Sequence, residues 1–203
     1  MSDNTIGFAL CGSFCTYTKA MAALEQLVNA YTKVIPIFSQ ASWETDSRFG
    51  TAASHIRQAE ELCGAPPLHT IAQVEPIGPK KLLDALVVAP CTGNTLAKLA
   101  HGIADGPVTM AVKSHLRNGR PVLLAVSTND GLAAAAENIG RLLARKHIYF
   151  VPFGQDDPDK KPASLVADFD RLPDALAAAL EGKQLQPILI GCCLLYTSPS
   201  PRD

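Results

Sequence analysis

The chain has 203 residues, 47% of them apolar and 18% charged, and a net charge of −1. That balance describes one compact domain with a sizeable core and gives no electrostatic case for binding nucleic acid or an anionic membrane surface. No apolar run approaches the roughly 20 residues of a membrane span, and Met1-Ser2-Asp3-Asn4-Thr5 lacks the basic and apolar blocks of a signal peptide, so a cytoplasmic protein is expected.

In chain order, Ile6-Gly7-Phe8-Ala9-Leu10 is a short apolar strand that ends in Cys11-Gly12-Ser13. Thr16 or Thr18 then caps a helix with Met21, Leu24, Leu27 and Val28 on one face. A second strand over 34–38 ends at Ser39, and a polar loop through Trp43, Arg48 and Gly50 leads to a helix over 51–63. The third strand, 86–89, is stopped by Pro90, which cannot donate to a ladder; its helix runs over 95–103. Residues 108–116 read as a further helix with Asn118-Gly119 as its stop.

The fourth strand, 122–126, ends at Ser127-Thr128-Asn129-Asp130 and is followed by an alanine-rich helix over 133–146. This helix places Arg141, Arg145 and Lys146 at its carboxyl end, where the helix dipole favours cations. A fifth strand, 148–151, and a final helix over 168–180 complete the pattern. Alternating strands and helices imply parallel pairing and right-handed crossovers, hence a Rossmann-like, doubly wound open α/β sheet with helices on both faces.

The functional signal lies at the strand ends. Thr92-Gly93-Asn94-Thr95 brings hydroxyls, an amide and backbone N–H groups to the start of a helix, where a phosphate or carboxylate is favoured; an ordinary N-cap without a ligand would use the same residues. Gly12-Ser13, Ser39 and Ser127-Thr128-Asn129 end three other strands, and in an open parallel sheet all four ends lie along the ligand-binding edge. No Gly-x-Gly-x-x-Gly or Gly-Lys-Ser/Thr occurs, so a mononucleotide-like ligand is expected.

Other residues are open to plainer readings. Arg48 is either a carboxylate fork or a surface arginine, and Lys113 and Arg117 are weaker candidates on a solvated helix face. His55 and His101 read as packed or capped histidines, and no residue stands out as a general base. Asp156-Asp157 reads as an exposed loop that suits a partner contact. The cysteines are scattered, without a Cys-x-x-Cys or a Cys/His cluster; they read as small buried thiols, and no metal is expected. Residues 192–203, Cys-Cys-Leu-Leu-Tyr-Thr-Ser-Pro-Ser-Pro-Arg-Asp, lack any apolar period and resemble a translated sequencing-library adapter. They are set apart as a non-native tail, leaving a single domain over 1–191.

Pro90-Cys91-Thr92-Gly93-Asn94-Thr95, with the following Leu96-Ala97-Lys98-Leu99-Ala100-His101-Gly102, resembles the Pro-Ala-Ser-Ala-Asn-Thr block of the cysteine-decarboxylase-type flavoproteins. Gly7-Phe8-Ala9-Leu10-Cys11-Gly12-Ser13, Arg48-Phe49-Gly50, Pro76-Ile77-Gly78-Pro79-Lys80, Ser127-Thr128-Asn129-Asp130 and Phe153-Gly154-Gln155-Asp156-Asp157-Pro158 narrow the resemblance. They point to the sporulation branch of those flavoproteins, the B-subunit family of the two-component dipicolinate synthases.

The resemblance implies a single flavoprotein domain that binds FMN and forms a homo-oligomer, a trimer or a multiple of one. It also implies a partner, the dehydrogenase-like A-subunit of dipicolinate synthase, that carries NADP or NAD. The implied substrate is a small dicarboxylate, a 4-hydroxy-tetrahydrodipicolinate precursor converted to dipicolinate. By position, Gly12, Ser13 and Ser39 would meet the FMN phosphate or ribityl chain. Thr92, Gly93 and Thr95 would approach the flavin, with Ser127 and Thr128 lining the same pocket. Asn94 matches the asparagine that handles the substrate carboxylate and is the catalytic candidate, with Arg48 and Asn129 as further substrate contacts. The position of the decarboxylases' catalytic histidine is Pro76, and their methionine-containing clamp is replaced by Ser127-Thr128-Asn129-Asp130-Gly131, which counts against cysteine decarboxylation. Two alternatives stay open: a non-catalytic component that positions or stabilises the dehydrogenase-like partner, and an FMN-dependent decarboxylase or flavin prenyltransferase.

Overall fold

The computed structural model describes residues 2–191; the segment read as an adapter-derived tail, 192–203, lies outside them. The sheet is built on β1 (Ser2–Leu10), β2 (Tyr31–Phe38), β3 (Ala85–Cys91), β4 (Val122–Thr128) and β5 (Ile148–Phe150). They pair parallel in the order β2-β1-β3-β4-β5. The chain therefore reverses its direction of winding between β1 and β3, and an open parallel sheet has its binding crevice at such a switch point, outside the carboxyl ends of the strands. α1 (Tyr17–Ala30), α3 (Ala52–Cys63) and α8 (Leu172–Leu180) form one helical layer; α5 (Gly93–His101), α6 (Pro107–Leu116) and α7 (Ala136–Leu143) form the other. β3 is buried along its whole length, as a central strand covered on both faces must be, and each large side chain it buries contributes about 1.5–3 kcal/mol.

Four expectations change in the structure. Pro90 does not stop β3, which continues to Cys91. Its pairing with β4 steps from Val88↔Leu124 to Cys91↔Val126, a bulge with one extra residue on β3, so the missing proline N–H falls where no ladder bond is required. Thr16 precedes α1, but its hydroxyl donates to the carbonyl of Ser13 at 2.9 Å instead of capping the helix. The alanine-rich helix is shorter than its composition suggests: the N–H groups of Ala133 and Ala135 donate to the carbonyl of Asp130 in turns, and α7 starts at Ala136. The loop after β2 contains a short helix, α2 (Gln40–Glu44), and α4 (Ile71–Val74) follows in the next connection.

The sheet is also mixed. β6 (Phe153–Gly154) and β7 (Leu165–Ala167) form an antiparallel pair, and β7 runs antiparallel to the end of β4 at Ser127↔Val166 and Thr128↔Leu165. β5 pairs with the first half of β4 and β7 with its last residues. This handover carries the 155–164 connection to the carboxyl edge of the sheet.

Candidate functional site

Two clefts open at that edge. The smaller, about 580 Å³, lies between the ends of β1 and β2 and the start of α6; Ser39 and Thr95 line it. The larger, about 930 Å³, is lined by Ser13, Arg48, Gly93, Ser127, Thr128 and Asn129. Gly12, Thr92 and Asn94 line both, so the two clefts meet at the β1/β3 switch point. Every residue expected from the sequence to meet the flavin or the substrate borders at least one of them.

Local chemistry explains how these side chains are held. Thr92 caps α5: its Oγ1 accepts from the Thr95 N–H at 3.2 Å and lies 3.0 Å from the Thr95 hydroxyl. Thr95 in turn donates to the Cys11 sulfur at 3.3 Å, tying the ends of β1 and β3 together. Ser39 caps α2 by accepting from the Ser42 N–H at 3.2 Å. Ser127, 3% exposed, joins Ser13 at 2.8 Å and Thr16 at 3.3 Å in a hydroxyl cluster across the ends of β1 and β4. At Gly93 a Cβ would stand 2.8 Å from the Thr128 hydroxyl and 2.9 Å from an Asp130 carboxylate oxygen, so a glycine lets the start of α5 approach the end of β4.

Two amides and two cations at the clefts are uncommitted. Among the described residues the side chains of Asn94, Asn129, Lys19 and Arg48 have no hydrogen-bond partner, although all four face the larger cleft. Arg48 is presented by a tight turn in which Ser47 and Gly50 exchange backbone hydrogen bonds of 3.0 and 3.1 Å. Its guanidinium sits 4.8 Å from the ring centre of Phe49. Asp130 accepts a short hydrogen bond from the Thr128 hydroxyl. Asp156 lies on an exposed loop, as expected, where it also borders the larger cleft and pairs with Lys161 at 3.1 Å. Partial burial works to raise its carboxyl pKa, but hydrogen bonds from Ser164 and Lys161 outweigh that and the net shift is downward.

Several residues have no place at the clefts. Lys113 and Arg117 instead border a separate, mostly apolar cavity of about 350 Å³ beside α6. His55 is buried on α3 against Tyr17, with ring centres 4.7 Å apart, and His101 is the exposed last residue of α5. Pro76 lies in the 3₁₀ turn Glu75–Ile77 and lines neither cleft. Cys11 and Cys91 are buried, and burial pushes the Cys11 thiol up to about 11 and raises that of Cys91 as well, so both are neutral packing groups at pH 7. Cys15, in contrast, is exposed at the larger cleft. Lys19 and Lys161 carried no local sequence signal, and Thr16 only that of a helix cap; the folding of α1 and of the β6–β7 connection over one edge brings them in.

A mostly parallel sheet with a hydroxyl- and amide-lined crevice at its switch point defines a Rossmann-like α/β domain. The family model described as Flavoprotein matches residues 1–171, and the chain belongs to that family. Within it, the chain is 47% identical over 190 residues to the dipicolinate synthase B-subunit of Bacillus subtilis (strain 168), covering 94% of this chain and 95% of that protein. The crystal structure of the dipicolinate synthase B-subunit from Bacillus halodurans superposes with a TM-score of 0.86 at 43% identity, over 94% of this chain and 97% of that one. The FMN-dependent cysteine decarboxylase SpaF shares the fold at a TM-score of 0.65 and 21% identity, over 89% of this chain and 97% of its own.

Proposed function

We propose that the protein is the flavoprotein component of a two-component dipicolinate synthase. In this reading it takes a 4-hydroxy-tetrahydrodipicolinate precursor to dipicolinate together with a dehydrogenase-like A-subunit that carries NADP or NAD. The observation that carries the reading is the near full-length likeness to the dipicolinate synthase B-subunit, in a chain whose uncommitted amides and cations gather at one cleft.

The donor set fits FMN. Gly12, Ser13 and Ser39 would hold the phosphate and ribityl chain through hydroxyls and backbone N–H groups, and Thr92, Gly93, Thr95, Ser127 and Thr128 would border the ring system. FMN, when bound, supplies a two-electron acceptor. The conversion loses water and then two electrons and two protons to become aromatic. The chain's own contribution is orientation: the Asn94 amide donates to one substrate carboxylate beside the N-terminus of α5, where the dipole favours an anion, and Arg48 and Asn129 contact the rest of the acid. Pro76 in its turn away from the clefts supports oxidation or aromatisation over histidine-assisted decarboxylation.

The test is a titration of the purified protein with FMN, followed by a dipicolinate assay with the dehydrogenase-like partner. A yellow complex whose flavin absorbance is bleached by the precursor is expected. A protein that binds no FMN yet still supports dipicolinate formation would replace the catalytic role with a positioning one.

A further inference from the structure

The larger cleft differs from the smaller in its uncommitted charge. Around the smaller cleft the one lysine, Lys98, is closed on Asp105 at 2.9 Å, and Glu44 accepts from Gln40. Around the larger stand three cations from three separate segments: Lys19 on α1, Arg48 on the turn after α2, and Lys161 on the β6–β7 connection. Among the described residues neither Lys19 nor Arg48 has a carboxylate within ion-pair distance. Lys161 does, in Asp156, but the side chains of that pair are 56% and 32% exposed, so solvent screens it and it contributes little to stability. Phosphates at such sheet edges are met by backbone N–H groups and hydroxyls, and those are supplied at Gly12, Ser39, Thr92 and Thr95 without any of the three cations.

We propose that Lys19, Arg48 and Lys161 form the subsite that selects a substrate with two carboxylates, and that Asp156 is an internal stand-in which releases Lys161 when the second carboxylate arrives. The inference rests on the dicarboxylate reading above and goes beyond it by assigning Lys19, Lys161 and Asp156. One carboxylate is met at the Asn94 amide, beside the switch point where the two clefts join. The other is met by Arg48 and Lys19 and draws Lys161 from Asp156. The exchange makes and breaks only ion pairs and hydrogen bonds, so the β6–β7 connection is coupled to the occupancy of the cleft by a charge that the cleft itself supplies.

The test measures binding by calorimetry to the FMN-loaded protein in chelator-treated, metal-free buffer, with pyridine-2,6-dicarboxylate and the single-carboxylate pyridine-2-carboxylate as probes. Lys161→Met should weaken the dicarboxylate about 10-fold, leave the monocarboxylate and FMN within about twofold, and be restored by Lys161→Arg. Asp156→Asn should tighten the dicarboxylate about threefold, because the competing carboxylate is gone. Lys19→Met should act in the same direction as Lys161→Met. A wild-type preference for the dicarboxylate that survives in both methionine variants overturns the subsite while leaving the functional reading intact. A parallel loss of FMN affinity in those variants also overturns it, because the cations would then serve the phosphate. An FMN-loaded wild type that binds neither acid overturns the subsite and the dicarboxylate reading together.

Discussion

The two edges of the sheet carry similar polar chemistry and use it in opposite ways. At the amino edge several conspicuous polar groups are closed on a neighbour. Asp84 accepts from the Thr5 N–H at 2.8 Å and pairs with Arg120 at 3.2 Å, and Arg120 also reaches the carbonyl of Leu83. Asn118 donates to the carbonyl of Gly78 at 2.9 Å, and His115 Nε2 donates to that of Pro121 at 3.1 Å. At the carboxyl edge the hydroxyls are paired, but Asn94, Asn129, Lys19 and Arg48 are left without partners among the described residues. A polar group that is satisfied within the fold contributes to stability, whereas one held at a cleft and left unpaired is available to a ligand. The first edge is built to hold the sheet together, and the second leaves donors open at a cleft.

The sharpest way to break this contrast is Asn94→Ala. Losing a donor that meets developing or fixed negative charge should lower dipicolinate formation with the dehydrogenase-like partner by about 10²–10³-fold. Because the exposed amide has no partner within the fold, the melting temperature should stay where it is. Unchanged turnover would remove Asn94 from the site.

The next effect belongs to the amino edge and appears as a pH dependence. His115 is fully buried, and desolvation, offset only in part by the bond to Pro121, holds its pKa down at about 4. The unfolded chain takes up that proton near pH 6.5. Stability is therefore complete above pH 6.5 and is lost as pH falls toward 4, by up to about 3 kcal/mol. Desolvation of His55 lowers its pKa as well and adds in the same direction. Urea denaturation at pH 7 and pH 4.5 measures the slope, which His115→Gln should flatten to the part left by His55.

A smaller effect sharpens the comparison. Asp84→Ala strands the Thr5 N–H and removes the partner of Arg120, and should cost about 2 kcal/mol in urea denaturation. The FMN titration should be unaltered, since Asp84 lies at the opposite edge from the clefts. A weakened flavin affinity in this variant would mean that the two edges are not independent.

The long elements were legible from local patterns. The apolar runs that became β1, β2, β3 and β4, and the faces of α1, α3 and α5, follow periods that core burial imposes on sequence. Of the elements of two to five residues only β5, an apolar run, was: α2, α4, β6 and β7 are too short to show a period, and a cap, a turn or the neighbouring strand holds them in place. Pro90 misled because the rule against proline in a ladder applies to an intact ladder, and β3 bulges there. At the site, Gly12, Ser13, Ser39 and Thr92–Thr95 could be picked out because small polar residues directly follow apolar strands. Lys19 and Lys161 could not, and Asp130 and Asp156 stood out only as a strand end and an exposed loop, since nothing in their neighbouring residues says that these segments will share one cleft.

The sequence by itself determined the parallel α/β architecture, the edge of the sheet at which a ligand would sit and the hydroxyl and amide donors on that edge, because burial periodicity and turn chemistry are local. Tertiary structure alone decided that β7 would take over the end of β4 and bring Lys161 and Asp156 to the same cleft as Arg48 and Lys19. That antiparallel pairing joins residues far apart in the chain, and the charge of a cleft is the sum over whatever segments the fold brings to it.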